Sequence, residues 1–231
     1  MTDIQKKTIL AFAAHPDDLE FGCCITMKNF IAEGYEVYYV VATAGDNGFK
    51  AENISKQKRI KVREKEQLDA AKATGVKKVY FWGYEDGFLK YNEKLRKRIT
   101  EIIKKIKPEI VVTFDPANRD WDNLNLLHRD HRVISEAVCD GVFAAKNAFI
   151  YKSKFPPHKV SRMLLFGSNK PNFFTDISER LDEKMNIIHC HRSQFTDFGK
   201  FRETFTEFFT KDSDKYKYSE SFRELNILTI T

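Results

Sequence analysis

The sequence predicts an α/β protein in which a mostly parallel sheet carries helices on both faces, a Rossmann-like three-layer sandwich. Short apolar, β-rich runs alternate with amphipathic helical stretches along most of the chain. Strands of this kind belong to parallel sheets whose two faces are both covered. No internal repeat or low-complexity linker divides the sequence. We therefore predict a single domain over residues 1–231.

Each predicted element follows from its own pattern and its stop signal. The helices are predicted to end at helix-stopping residues such as Gly34, Gly75 and Pro108. The predicted strands are "KKTILAFAAH", "YEVYYVVATAG", "KKVYFWG", "EIVVTFD" and "VSRMLLFGS". The predicted helices begin at "DDLEFG", in the lysine-rich stretch after residue 55, at "NEKLRK", at "HRDHRV" and at "ISERLD". The tail from Gly199 is rich in Phe and Tyr, and we expect it to cover a sheet edge or a subunit interface.

Composition and length indicate a globular protein of the cytoplasm. The chain has 231 residues, of which 42% are apolar and 31% charged, which suits a folded core better than disorder. No apolar run is long enough to span a bilayer, and the short run near the N-terminus is followed at once by acids, unlike a signal peptide. The four cysteines form no disulfide framework, so we expect buried thiols in a reducing compartment.

The positive charge could indicate a nucleic-acid partner. The net charge is +6, but the lysines are spread along predicted helices that also carry glutamates and an apolar stripe. Solvated helix faces explain this pattern better than a phosphate-binding surface does. We expect no nucleic-acid or membrane partner, and a basic nucleic-acid-binding module remains an alternative.

Polar side chains gather where the predicted strands end. His15 ends the first strand, Asp46 and Asp86 lie in loops after the next two, Asp115 ends the fourth, and residues 128–131 open the following helix. Ligand sites of parallel α/β sheets lie beyond the carboxyl ends of the strands. We therefore expect these residues to line one crevice.

Two of the clusters have the spacing of metal ligands. His15 and Asp18 are three residues apart in "HPDD", and His128 and His131 are three apart in "HRDH". At a helix start this spacing puts both side chains on one side. Imidazole nitrogens and carboxylates suit zinc with an open position for water, although iron accepts the same ligands. The alternative for "HPDD" is helix-start chemistry, which explains Pro16 and the acids but does not require His15.

The motifs together resemble a known family. "AHPDDLE" and "HRDHR" are similar to the LmbE-like, or PIG-L, family of metal-dependent de-N-acetylases, which act on N-acetylglucosamine-type sugars. "REKEQLDAAKATGV" and "FWGYEDG" resemble further family segments. "KPNFFTDIS", "HRSQF" and "YKYSESFR" are most similar to archaeal diacetylchitobiose deacetylases and their bacterial relatives. The resemblance runs from residue 8 to about residue 225.

The resemblance implies a role for each motif residue. A zinc ion, or iron, would activate a water for hydrolysis of the N-acetyl group, with release of acetate and the free amine. One acid is implied to be the general base and a cationic histidine the oxyanion stabiliser. A second acid is expected to orient this histidine and keep it protonated. The implied residues are His15, Asp18 and His131 as metal ligands, Asp17 as base, His128 as stabiliser, Asp130 as its partner, and Arg63 and Asp86 as sugar contacts.

The sequence departs from the family pattern at two positions. Arg129 occupies the position of the usual proline after the first histidine of the second motif, and Cys24 occupies a position where glycine is common. The family also implies a homo-oligomer, whose size the sequence does not give. A metal-free, Rossmann-like nucleotide-binding protein is a further alternative, although the acids after the first strand would repel a pyrophosphate.

Overall fold

The structure is a computed structural model that describes residues 7–50, 53–118, 124, 127–209 and 215–227. Short 3-10 turns connect several of its elements. The strands are β1 (Thr8–Ala13), β2 (Glu36–Thr43), β3 (Lys78–Tyr84), β4 (Ile110–Phe114), β5 (Arg162–Phe166), β6 (Phe173–Asp176) and β7 (Ser219–Asn226). The helices are α1 (Asp18–Ala32), α2 (Lys56–Thr74), α3 (Glu93–Ile106), α4 (Arg129–Ala145), α5 (Leu181–Ile188) and α6 (Phe198–Phe209).

The strands form one seven-stranded sheet in the order β3-β2-β1-β4-β5-β7-β6. The first five strands in this order are parallel, and β7 is antiparallel to both β5 and β6. Helix α3 packs against α4, and α1 packs against α2 and α5. The predicted fold class, a mostly parallel sheet covered by helices, is confirmed.

Local sequence explains why the central elements form. Every residue of β1 is buried, as a strand with helices on both faces requires. Helix α2 is capped by Ser55, whose hydroxyl accepts the amide of Lys58 at 3.4 Å, and it ends at Gly75, whose φ of 94° favours glycine. Asn92 caps α3 in the same way, accepting the amide of Leu95 at 3.0 Å.

The C-terminal segment differs from the prediction. The tail beyond Gly199 is predicted to cover a sheet edge or a subunit interface, but it contributes β7, which lies inside the sheet between β5 and β6. Phe222 of β7 is fully buried. The local pattern "SESFRELN" is mixed in polarity, so its strand state depends on pairing with two distant strands. Strand β6 and helix α6 were also not assigned from the sequence.

The strand order places a topological switch point beside β1. The chain proceeds from β1 to β2 on one side and later returns to β4 on the other side. In doubly wound sheets the crevice at the carboxyl ends of such strands is the usual ligand site. The loops after β1 and β4 therefore meet, although the "HPDD" and "HRDH" motifs are far apart in the sequence.

Two sequence expectations about the chain as a whole have structural counterparts. Cys23 and Cys24 are buried free thiols as expected, whereas Cys139 and Cys190 are partly exposed. Among the described residues, no helix combines the length and apolar character that crossing a bilayer requires.

Candidate active site

Asp18 is the first residue of α1 and is fixed by the loop that precedes it. Its Oδ2 accepts the backbone amides of Ala14 at 2.9 Å and His15 at 2.8 Å. These bonds hold the residues that follow β1 against the first turn of α1. They turn the carboxylate of Asp18 and the imidazole of His15 toward the same point above the sheet.

The three predicted metal ligands converge. Nδ1 of His15 lies 3.2 Å from Nε2 of His131, which lies 3.2 Å from Oδ1 of Asp18. Oδ2 of Asp18 is 3.7 Å from Nδ1 of His15. A tetrahedral ion with ligands at roughly 2.1 Å holds them about 3.4 Å from one another. Asp18 meets His131 through Oδ1 and His15 through Oδ2, so the three side chains could hold one divalent ion such as zinc between them.

The far side of the His15 ring is occupied by acids. Its Nε2 lies 3.1 Å from Oδ1 of Asp86 and 3.4 Å from Oδ2 of Asp130. A metal-binding histidine usually gives its other ring proton to such a partner, which fixes the tautomer. The two acids thus favour a proton on Nε2 and leave the Nδ1 lone pair for a metal.

Other groups of donors also meet in this crevice. His15, His128 and His131 form one compact group, and His15, Asp86 and Asp130 form another. In the second group, however, Asp86 and Asp130 both face Nε2 of His15, whereas Asp18 and His131 face its Nδ1. We favour the set with Asp18 because its side chains approach one another to 3.2–3.7 Å, close to the spacing of ligands on one tetrahedral ion.

His131 is held by packing on its strand neighbour. The rings of His131 and Phe114 stack with centroids 4.0 Å apart and planes 14° apart. Phe114 is the last residue of β4, so the strand itself orients the ligand. Within the described part of the chain, the buried Nδ1 of His131 has no hydrogen-bond partner.

Asp17 lies beside the ligands and is not part of a regular helix start. It precedes α1 with φ 91° and ψ −28°, a left-handed conformation that is uncommon for any residue except glycine. The helix-start alternative is therefore incomplete, because it predicts ordinary first-turn geometry. Strain of this kind concentrates at functional sites.

Arg63 from α2 binds the Asp17 loop. Its Nη1 and Nη2 both lie 3.2 Å from Oδ2 of Asp17, and its Nη2 donates to the carbonyl of Pro16 at 2.7 Å. Arg63 is only 2% exposed. It was predicted as a sugar contact, and that role stays a prediction because the observed contacts are with the Asp17 loop.

The carboxylate of Asp130 has different partners from those expected. It was predicted to orient His128, but its oxygens accept the amides of Gly87 at 2.7 Å and Leu89 at 3.2 Å and face His15. The link to His128 runs through the backbone instead, because the amide of Asp130 donates to Nδ1 of His128 at 3.3 Å. The loop after β3 supplies these amides. No sequence pattern indicates that Asp130 binds this loop, because the two segments are more than forty residues apart.

The remaining predicted residues also have defined places. Asp86 is buried, and its Oδ2 accepts the amide of Asn47 at 2.8 Å. Asp46 pairs with Arg59 at 3.5 Å, and Asp115 accepts a hydrogen bond from the hydroxyl of Ser168. These partners are not among the proposed metal ligands. Exposed Arg129, in place of the usual proline, reaches the carbonyl of Gly87 at 3.4 Å.

The site has an excess of buried acid and is suited to positive charge. Burial alone would lower the pKa of His15, but the carboxylates of Asp130, Asp18 and Asp86 outweigh it and raise the pKa well above its usual value. Burial raises the pKa of Asp18, yet His131 and His15 hold it well below the usual range. A bound divalent ion would compensate the same excess of negative charge.

The pKa values of Asp17 and His128 are shifted in opposite directions, and both shifts favour the uncharged form. Burial raises the pKa of Asp17, and Arg63 opposes this only in part. Burial, followed by the neighbouring His15 and His131, lowers the pKa of His128. His128 is thus favoured in its neutral form, contrary to the expectation that Asp130 keeps it protonated.

Sequence reasoning missed three residues that shape the site. Gln67 accepts the amide of Asp17, Glu20 binds Gln67, and Phe114 stacks on His131. A signal existed for Gln67, which lies four residues after Arg63 and hence on the same face of α2. Phe114 immediately precedes Asp115 at the end of its strand, where packing on the next helix is expected.

The fold and site define an α/β protein whose switch point holds a His/Asp cluster suited to a divalent ion. The family model for PIG-L, described as GlcNAc-PI de-N-acetylase, matches residues 10–142. The chain therefore belongs to the PIG-L family. The match includes both ligand motifs, and it confirms the predicted enzyme class, an amide hydrolase of the deacetylase type.

Individual relatives cover nearly the whole chain. Diacetylchitobiose deacetylase of Thermococcus kodakarensis is 29% identical over 226 residues, which cover 94% of this chain and 82% of the relative. A probable N-acetyl-alpha-D-glucosaminyl L-malate deacetylase 2 of Bacillus cereus is 27% identical over 199 residues, covering 82% of this chain and 84% of the relative.

A solved structure has the same architecture. The N,N'-diacetylchitobiose deacetylase of Pyrococcus horikoshii, solved with an inhibitor, superposes with a TM-score of 0.86 at 30% identity. The superposition covers 96% of this chain and 85% of that protein. The likeness extends past residue 142 and so includes the C-terminal strands that the family model does not match.

Proposed function

We propose that this protein hydrolyses the N-acetyl group of an N-acetylglucosamine-type sugar and releases acetate and the free amine. The observation that carries the proposal is the convergence of His15, Asp18 and His131 with separations of 3.2–3.7 Å between their donor atoms. Relatives named as deacetylases of diacetylchitobiose and of N-acetylglucosaminyl malate support the sugar class.

His15, Asp18 and His131 would hold a divalent ion, with zinc first and iron as the second candidate. Such an ion, when bound, polarises a carbonyl and lowers the pKa of a coordinated water to about 7. The acids behind His15 keep the ring in the tautomer that leaves Nδ1 available. Metal binding by this chain is part of the proposal.

Asp17 is proposed as the general base and later the general acid. Its raised pKa brings proton uptake closer to neutral pH, where a base is most effective. It would take a proton from the attacking water at Oδ1 or Oδ2 and give it to the departing sugar nitrogen. Arg63 holds Oδ2 at 3.2 Å, which leaves Oδ1 as the freer oxygen for this transfer.

His128 is proposed to stabilise the oxyanion in its neutral form. Its Nδ1 faces the amide of Asp130, so the ring accepts there and carries its proton on Nε2. That N–H can donate to the developing negative oxygen without a positive charge on the ring. Loss of one such donor typically costs about 3 kcal/mol in the barrier.

Asp130 and Asp86 are proposed to act on catalysis through His15, which both carboxylates contact. Sugar contacts of Arg63 and Asp86 remain proposals that rest on the family motif. The homo-oligomeric state and the single-domain organisation are also proposals.

The test combines metal analysis with a substrate screen. We expect about one zinc or iron per chain in the purified protein, and primary-amine release from diacetylchitobiose, N-acetylglucosamine or an N-acetylglucosaminyl malate. Chelator-treated protein re-loaded with each metal separately identifies the active ion. Release of amine by fully metal-free protein, or none from any N-acetyl sugar, would contradict the proposal.

A further inference from the structure

We propose that Gln67, Glu20 and His191 form a positioning chain that holds the backbone of Asp17 in its left-handed conformation. The inference rests on the proposed function, in which Asp17 is the base. None of the three residues needs to touch the substrate. Their effect would be to keep one carboxylate aimed at the reacting water.

The first link is a bond to the strained residue itself. The amide of Asp17 donates to Oε1 of Gln67 at 3.1 Å. The φ of 91° at Asp17 lies in a region that side-chain-bearing residues rarely adopt, so it persists only where the surroundings specify it. Gln67 is 1% exposed, and water therefore cannot easily replace it as acceptor.

The second link fixes the orientation of the Gln67 amide. Its Nε2 donates to Oε1 of Glu20 at 2.9 Å. An amide that donates to a carboxylate at one end must present its oxygen at the other end. Glu20 therefore sets the side of Gln67 that meets Asp17. Glu20 lies three residues after Asp17, so the chain closes a loop over the start of α1.

The third link anchors the carboxylate from another part of the fold. Oε2 of Glu20 lies 3.2 Å from Nε2 of His191, and both side chains are fully buried. His191 belongs to the "HRSQF" segment, a motif that the proposed chemistry does not otherwise use. A buried carboxylate requires such a partner, because isolated burial of its charge is costly.

Together the links join α1, α2 and the segment after α5 around one peptide bond. Arg63 holds the side chain of Asp17 and Gln67 holds its backbone, from adjacent turns of the same helical face. A displacement of a catalytic group by about 1 Å can cost a factor of about 10² in rate. Loss of the positioning chain should therefore slow catalysis, although none of its three residues touches the substrate.

The first variant is Gln67→Met, which keeps volume but removes both hydrogen bonds. We expect kcat to fall by about 10- to 100-fold with little change in KM. Hydrogen exchange of the Asp17 amide should accelerate by about tenfold, because its acceptor is lost. Thr74→Val is the matched control on α2, since the Thr74 hydroxyl is buried and donates to Ala70 of the same helix.

The second variant exchanges the two partners, Gln67→Glu with Glu20→Gln. The new carboxylate at position 67 can accept the Asp17 amide and the new amide at position 20, whose oxygen faces His191. We expect this pair to recover slow exchange at Asp17 and most of kcat, whereas Gln67→Glu alone opposes two carboxylates and recovers neither. If Gln67→Met does not fold, the exchanged pair against Gln67→Glu alone carries the test.

Unchanged exchange at Asp17 in Gln67→Met would overturn the positioning chain, as would a fall in kcat without faster exchange. Failure of the exchanged pair to surpass Gln67→Glu alone would also overturn it. If wild-type protein releases no amine from any N-acetyl sugar, the proposed function fails, while the exchange measurement still decides whether Gln67 holds the Asp17 backbone.

Discussion

Two clusters of buried charge lie on helix α1, and they are built differently. At the start of the helix, His15, Asp18 and His131 crowd their donor atoms around one point. One helical turn further on, Lys184 and Glu220 form an ion pair at 2.5 Å with both side chains fully buried. Burial of charge is common to both clusters, so burial alone does not distinguish a site from a structural pair.

Hydrogen bonding separates the two clusters. Lys184 also donates to the carbonyls of Glu20 and Phe21, and Glu220 accepts the amides of Ile25 and Thr26. The pair is therefore hydrogen-bonded to backbone groups of α1 on both sides. The ligand cluster instead leaves the buried Nδ1 of His131 unpaired among the described residues and sets two acids against one face of His15. The three carboxylates of Asp18, Asp86 and Asp130 around His15 suit the binding of a cation.

The largest expected effect comes from removing a ligand. His15→Ala takes away the ring that contacts Asp18, Asp86, Asp130 and His131, and we predict loss of the bound metal together with activity. Metal content after dialysis and amine release measure both. The fold should survive, as circular dichroism can verify, because β1 remains intact. Full metal occupancy in this variant would remove His15 from the ligand set.

The next effect comes from the proposed base. Asp17→Asn keeps the size of the side chain but cannot accept the proton of the attacking water, and we predict a loss of kcat of about 10²- to 10⁴-fold. Metal content should remain near that of the wild type, which separates this variant from His15→Ala. Turnover at the wild-type rate would show that another group acts as base.

Substitutions in the Lys184–Glu220 pair should lower stability and leave catalysis intact, the opposite of substitutions at the proposed site. Lys184→Met leaves Glu220 buried without its cation, and we predict a loss of about 3–5 kcal/mol in the free energy of unfolding. Metal affinity and kcat of the folded protein should change little. The double variant Lys184→Met with Glu220→Gln removes the buried charge yet keeps an acceptor for the backbone amides. Its loss in the free energy of unfolding, measured with urea, should therefore be smaller. If Lys184→Met alone were as stable as the wild type, this account of the pair would be refuted.

The smallest predicted effect concerns a half-buried histidine outside both clusters. Nε2 of His158 lies 2.7 Å from the carbonyl of Pro108, and burial lowers the pKa of His158 below 6.5. The folded state therefore binds fewer protons than the unfolded state, so stability falls as pH drops through 6.5 toward the lower folded pKa. His158→Gln should flatten this part of the curve of unfolding free energy between pH 7.5 and 5.5. An identical slope in the variant would contradict the shift.

The motifs that carry the proposed ligands are recognisable in the sequence, whereas the contacts of their neighbours are not. The three-residue spacing and the strand ends are local features that point to "HPDD" and "HRDH", and the family resemblance selects His15, Asp18 and His131 from these motifs. The first five strands and their helices are also recognisable from periodicity and stop signals. Residue type and local pattern carry this information directly.

Contacts made across the fold were not predictable in the same way. Asp130 meets His15 and the loop at Gly87 only because β1 and β4 are adjacent, which is a matter of strand order. The left-handed conformation of Asp17 depends on Gln67 and Arg63 from another helix. Strand β7 was missed for the same reason, because its mixed polarity becomes a strand only between β5 and β6.

The central claim is that one divalent ion is shared by His15, Asp18 and His131. Anomalous diffraction above and below the absorption edge of the metal found in the active protein tests this directly. The account predicts one peak within about 2.0–2.2 Å of Nδ1 of His15, Nε2 of His131 and an oxygen of Asp18. A peak on another set of residues, or active crystals without any peak at this position, would contradict it.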